Sequence, residues 1–322
     1  TLENWIQVEP RLAHLVHFVD DLFRQAAHVR SAEVEEVLGL ASETLYGLSG
    51  PADTLANAEL RFAPARDAEG REHPVSQGNL GAYLRSTDRT LRRTAYESYT
   101  DAYLGFQRTF AANLTGALRR DVFHARVRRY DDSLSATLER DRIPAAVFHK
   151  LLEVFQRNLP TWHRYWDLRR RVLGLSEVQP FDVWAPLTTE TVPVPYEQAV
   201  DWICEGMAPL GPDYVSAMRR GCLEERWVDR YPNVGKQQGA FSAGRRGTLP
   251  FIKMSYLDDV ASMSTLAHEL GHSMHSLLTW RNQPPAYTGY TMFCAETASN
   301  FNQAMTRAYL LRQDLDRGVR IA

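Results

Sequence analysis

Apolar residues return at helical spacing through most of the chain. Leu12, Leu15, Val16, Val19, Leu22, Phe23 and Ala26 follow an i, i+3, i+4, i+7 pattern and predict an amphipathic helix. Val34, Val37, Leu38, Ala41 and Leu45 predict a second, ended by Gly47 and Gly50–Pro51. From residue 88 to 128 the repeat Leu91, Ala95, Tyr99, Ala102, Phe106, Phe110, Leu114, Leu118, Val122 meets few breakers, so one long helix or two nearly continuous ones are expected. Pro144 suits the first turn of a helix through Val147, Leu151, Val154 and Phe155, with a continuation carrying Trp162, Tyr165, Trp166 and Leu168. Helices are also predicted at 196–207 and 212–225. Pro284–Pro285 lies well beyond the end of another, at 263–278.

Three stretches depart from the helical period. Residues 59–63 and 71–75 flank the turn sequence Asp67-Ala68-Glu69-Gly70 and predict a small hairpin. Residues 181–187 read as a short strand or extended piece. Residues 239–242 and 250–256 read as two short strands joined at Gly244-Arg245-Arg246-Gly247, just ahead of the 263–278 helix. An unpaired edge there can hold an extended peptide by its backbone. Gly239 and Ala240 are small enough for close approach, so Gly239, Ala240 and Phe241 are the candidate substrate-binding residues.

The chemistry concentrates in His268-Glu269-Leu270-Gly271-His272. Residues four apart on a helix share a face, so both imidazoles can reach one ion. Glu269 lies roughly 100° round the helix from His268, beside such an ion rather than on it. That pattern suits a zinc peptidase: two nitrogen ligands, and a carboxylate that takes the proton of the attacking water. A third protein ligand is required. Asp314 and Asp316 sit among Arg312, Gln313 and Arg317 and read as surface, whereas Glu296 falls among small and apolar residues, where a carboxylate needs a partner. Glu296 is the candidate. Ser299, one turn on, is a candidate hydrogen-bond partner for a ligand histidine. His275 is two turns from His268 and is assigned to packing or support, and Cys294 to packing.

Composition removes other classes. With 37 basic and 39 acidic residues the net charge is −2, which argues against a general nucleic-acid or membrane-surface binder, and the arginine pairs along 92–129 read as a solvated face. No uninterrupted apolar run of 18 residues is present to span a bilayer, and no secretion signal is visible at the N-terminus. Cys204, Cys222 and Cys294 are odd in number and scattered, which points to reduced thiols and a cytoplasmic enzyme.

The His268–His272 motif and Ala295-Glu296-Thr297-Ala298-Ser299 together resemble the oligoendopeptidase F branch of the thimet-oligopeptidase family. Gly235-Lys236-Gln237-Gln238-Gly239-Ala240-Phe241-Ser242, and Asp259-Val260 running into Thr265-Leu266-Ala267, match that branch too. The resemblance implies a mainly α-helical zinc metallo-oligopeptidase with a small β-sheet beside the metal helix and a deep channel between two lobes. It implies one zinc ion per chain on His268, His272 and Glu296, with Glu269 as catalytic base and acid, and short peptides as substrates. An N-terminal helical domain is expected at 1–105 and the catalytic domain at 106–322. The family places its oxyanion donors, a His and Tyr residues, beyond the glutamate-bearing helix, and residues 300–322 do not resemble that segment. The chain is therefore expected to be a fragment whose remaining C-terminal segment completes the site; alone it would bind zinc but catalyse poorly. The alternatives are a zinc carboxypeptidase of related helical fold and a non-catalytic helical binding protein with an inert motif.

Overall fold

The computed structural model describes residues 1–188, 193–233, 236, 239–315 and 317–321. Gly235, Gln237, Gln238 and Asp316, used in the sequence reading, lie outside the described residues. The chain forms two compact units, one of Thr1–Pro10 and Val19–Ala185, the other of Arg11–Phe18 and Pro186–Ala322. Helices dominate both.

In the first unit the repeat over 88–128 becomes two helices, Arg89–Leu104 and Gln107–Val127. Asp88 starts the first of these by accepting from the N–H groups of Thr90 at 2.7 Å and Leu91 at 3.2 Å. A long helix, Ala145–Val172, runs on through Pro160. Residues 12–15, expected within an amphipathic α-helix, fall in a 3-10 turn, Pro10–Leu15, before the helix Val16–Ala26. The small hairpin is present but shorter and shifted: β1 (Ala65–Arg66) pairs antiparallel with β2 (Glu72–His73). Helical turn extends to Glu59, and the turn is held by Asp67, whose carboxylate accepts from the N–H groups of Glu69 and Arg71. Ala65, Val75, Leu91 and Ala95 bury one face of the hairpin against the following helix.

The extended piece expected at 181–187 is instead opened by a 3-10 turn, Pro180–Asp182. Asp182 is the reason. It is fully buried, accepts from the Gln179 N–H, and pairs with Arg89 at 2.8 Å and Arg92 at 2.9 Å. Burial pushes its carboxyl up, but the two guanidinium groups outweigh burial and hold it below the ordinary range. Arg169 closes over the same turn, donating to the carbonyl of Asp182. Partners some 90 residues away leave no trace in a local hydrophobic pattern.

The second unit builds the site. The helices Tyr196–Gly206, Pro212–Leu223, Val260–Asn282 and Met292–Leu310 enclose a core that includes Ile203, Met218, Trp227, Leu266, Leu270 and Met274. Beside them lies a three-stranded sheet of β3 (Val228–Asp229), β4 (Phe241–Ala243) and β5 (Phe251–Lys253), in the order β3-β5-β4. β4 and β5 are antiparallel, as the turn at 244–247 predicts, with Ser242 opposite Ile252. β3 pairs parallel with β5 and was not foreseen, since two residues carry no readable alternation. β4 is therefore an edge strand.

Candidate metal centre

Asp259 opens the Val260–Asn282 helix, its carboxylate accepting from the Ser262 N–H at 2.7 Å. Met263, Leu266, Ala267, Leu270 and Met274 bury one side of that helix in the core. The other side carries His268 and His272, whose side chains are 25% and 17% exposed. Their rings lie 4.9 Å apart, edge to face. Thr291 caps the Met292–Leu310 helix, whose second turn presents Glu296 to both rings. Glu296 Oε2 is 3.3 Å from His268 Nε2 and 3.8 Å from His272 Nε2.

The three ligand atoms lie within 4.8 Å of one another, the one such His/Cys/Asp/Glu group among the described residues. A tetrahedral zinc with bonds of ~2.0–2.1 Å needs ligand atoms about 3.3 Å apart, so this donor set fits that ion with small adjustments. Protonation favours the same reading. Burial lowers the pKa of His272 further than the nearby Glu296 charge raises it, leaving the imidazole neutral and its lone pair available near pH 7.

Glu269 is set apart from the other three. Its side chain is buried, and its Oε2 has no hydrogen-bond partner. Burial first, then the Glu296 charge, raises its carboxyl from an ordinary 4.5 to about 7, against a hydrogen bond from the Ser242 backbone N–H. An unpartnered buried carboxylate oxygen beside a ligand cluster is positioned to exchange a proton with a bound molecule. The raised value also sets a stability slope. A group raised above its unfolded pKa contributes stability below that pKa and loses it as pH rises through the folded value. Metal-free protein should therefore lose up to about 3 kcal/mol between pH 4.5 and 8 through this group, and Glu269→Gln should remove that slope. Urea unfolding of the chelator-treated protein at pH 5 and pH 8 checks it; identical slopes in parent and variant would contradict it.

The sheet is docked to the Val260–Asn282 helix beside Glu269. Ser242 Oγ and Ser273 Oγ are 2.8 Å apart. The Ile252 N–H donates to the Trp227 carbonyl on the β3 side, so Ser242, opposite Ile252, directs its own N–H off the free edge of β4. That N–H is the one that reaches Glu269. The free edge of β4 thus faces Glu269. Gly239 and Ala240 precede the strand, Gly239 at φ +93° with its carbonyl accepting from Lys253 Nζ at 3.3 Å. Phe241 lies opposite Lys253, so its N–H and C=O turn toward β5, while its half-exposed ring carries the Lys253 ammonium 5.7 Å from its centroid.

Ser299 does not meet a histidine. It is fully buried and donates to Glu296, at 3.0 Å both to the carbonyl and to Oε2, because three residues along the same helix bring its hydroxyl back onto that carboxylate. His275 stacks on Tyr290, and Cys294 is exposed rather than packed. The sequence reading missed Ser242 and Ser273; strand parity could have singled out Ser242 once the neighbour of β5 was known.

Family models match almost the whole chain. Residues 82–319 match peptidase family M3, and residues 1–62 match the oligopeptidase F N-terminal model. The chain belongs to peptidase family M3. Oligopeptidase PepF of Bacillus subtilis is 38% identical over 311 residues, which cover 96% of this chain and 46% of that protein. The crystal structure of a putative peptidase from Chlamydophila abortus superposes with a TM-score of 0.79 at 32% identity, covering 98% of this chain and 53% of the other. Oligoendopeptidase-F from Enterococcus faecium superposes at 0.69 with 28% identity, covering 99% and 50%. The M3 chain therefore spans about half the length of the curated relatives it matches. The mainly helical architecture with small sheets is that of these neighbours.

Proposed function

We propose that this chain carries the zinc site of a metallo-endopeptidase that hydrolyses short oligopeptides. The observation that carries the reading is the convergence of His268, His272 and Glu296 within 4.8 Å, beside a buried Glu269 with a free carboxylate oxygen. One zinc ion per chain held there would polarise the scissile carbonyl and bring the pKa of a water toward ~7. Glu269 Oε2 takes the proton from the attacking water and hands it to the leaving amine, a task suited to a carboxyl whose affinity for protons lies near neutrality. Ser299 holds Glu296 from behind. The outward carbonyl of Ser242 and the small residues Gly239 and Ala240 ahead of it offer backbone pairing to an extended peptide, and Phe241 contributes its exposed ring.

The rest of the site comes from polypeptide equivalent to the length the relatives carry beyond the match, as a C-terminal segment of the same enzyme supplying oxyanion donors. Exposed Leu118, Leu151, Phe155 and Trp162 support a larger assembly. Three free cysteines, two of them buried, suit the cytoplasm, and no described helix is long and apolar enough to cross a membrane.

A C-terminally amidated, internally quenched nonapeptide tests the reading on the full-length protein. Zinc-dependent internal cleavage is expected. Sparing of the amidated peptide with trimming of its free-acid form would favour a carboxypeptidase instead.

A further inference from the structure

Two contacts outside the ligand set tie the Val260–Asn282 helix to the Met292–Leu310 helix and to the residues just ahead of it. Tyr290 stacks on the His275 ring, centroids 4.0 Å apart at 22°, and its hydroxyl hydrogen-bonds Ser276 Oγ. At the other end of the pair, Gln303 Nε2 donates to Ser264 Oγ at 2.7 Å. The ties bracket the ligands. Ser264 lies four residues before His268 and Ser276 four after His272, while Tyr290 lies six before Glu296 and Gln303 seven after it.

Between the ties the helices touch backbone to backbone. A Cβ on Gly271 would lie 2.6 Å from Ser299 Cα. A bare contact of that kind limits how near the helices come, but it does little against sliding. One residue of slide is about 1.5 Å, enough to separate a carboxylate from two imidazoles. Hydrogen bonds are directional and lengthen on sliding, so a tie at each end resists it. The His275 Nδ1 is buried without a partner, which leaves its ring as a stacking platform for Tyr290.

We propose that Tyr290 and Gln303 are positioning residues that fix the axial register of the two helices and so hold Glu296 against His268 and His272. This rests on the zinc reading of the site. The test measures zinc affinity of the full chain by competition with a chromophoric chelator, together with the visible spectrum of its cobalt(II) form. Tyr290→Ala and Gln303→Ala should each weaken zinc binding about 10- to 100-fold and change the cobalt spectrum, and Tyr290→Phe, which keeps the ring but loses the hydrogen bond to Ser276, should do so as well. Affinities within twofold of the parent, with an unchanged spectrum, overturn the proposal. If Tyr290→Ala unfolds, Ser264→Ala and Ser276→Ala decide by the same thresholds, since each removes one hydroxyl. A parent chain that binds no zinc overturns the zinc reading and this proposal together; a zinc-binding parent with unaffected variants overturns the positioning role alone.

Discussion

Replacing Glu269 by glutamine should cut peptide turnover by the full-length protein about 10²–10⁴-fold while zinc still binds one per chain. Glutamine matches the size of the carboxyl but cannot take a proton. Glu269 is not among the three converging ligand atoms, so their geometry should survive the change. Folding should not suffer either. The native site already disfavours the charged form, as the rise to about 7 shows, and a neutral isostere relieves that cost. Activity lost with zinc and stability kept separates a proton-transfer role from a packing role. Turnover within threefold of the parent would remove Glu269 as the base.

Gly271→Ala should damage both the fold and the candidate site. Two effects compete. Alanine is the better helix former by about 0.8–1 kcal/mol. Its Cβ, however, would sit 2.6 Å from Ser299 Cα and 2.8 Å from the Ala298 carbonyl oxygen, both backbone atoms of the Glu296 helix. Backbone cannot swing aside as a side chain does, so the helices must part, at a cost of about 1–3 kcal/mol. The clash should win. A parting of ~1 Å carries Glu296 away from both imidazoles and should weaken zinc binding by about 10²-fold. Gly116 supplies the control: it lies within the Gln107–Val127 helix, where an added Cβ meets nothing within 4 Å. Gly116→Ala should therefore stabilise by about 0.5–1 kcal/mol. Thermal unfolding of both variants, read with zinc titrations, checks the opposite signs.

The helical repeat and the spacing of His268, Glu269 and His272 carry their own geometry, so the helix and the shared face of its two imidazoles are legible from the chain alone. Glu296 does lie against both rings, but not for the reason its neighbours suggest: its side chain is 43% exposed, so the apolar residues around it in the sequence do not bury it. The β4–β5 hairpin followed from the Gly244–Gly247 turn. What stayed hidden depends on contacts distant in sequence. The turn at Asp182 is set by Arg89 and Arg92, so the extended reading of 181–187 lacked its deciding partners. Ser299 bonds Glu296 rather than a histidine because three residues along one helix bring its hydroxyl back onto that carboxylate. Gly271 reads as a neutral helix residue until Ser299 is placed against it. The tie from Tyr290 to Ser276 crosses a connection with no periodicity.

Zinc stoichiometry tests the central claim most directly. The chain and its His268→Ala, His272→Ala and Glu296→Ala variants would be dialysed against a buffered low concentration of zinc, and bound metal measured by atomic absorption. The structure predicts one zinc per parent chain and substantially less than one for every variant. A parent without zinc, or variants that each keep a full equivalent, would contradict the assignment of His268, His272 and Glu296 as the metal site.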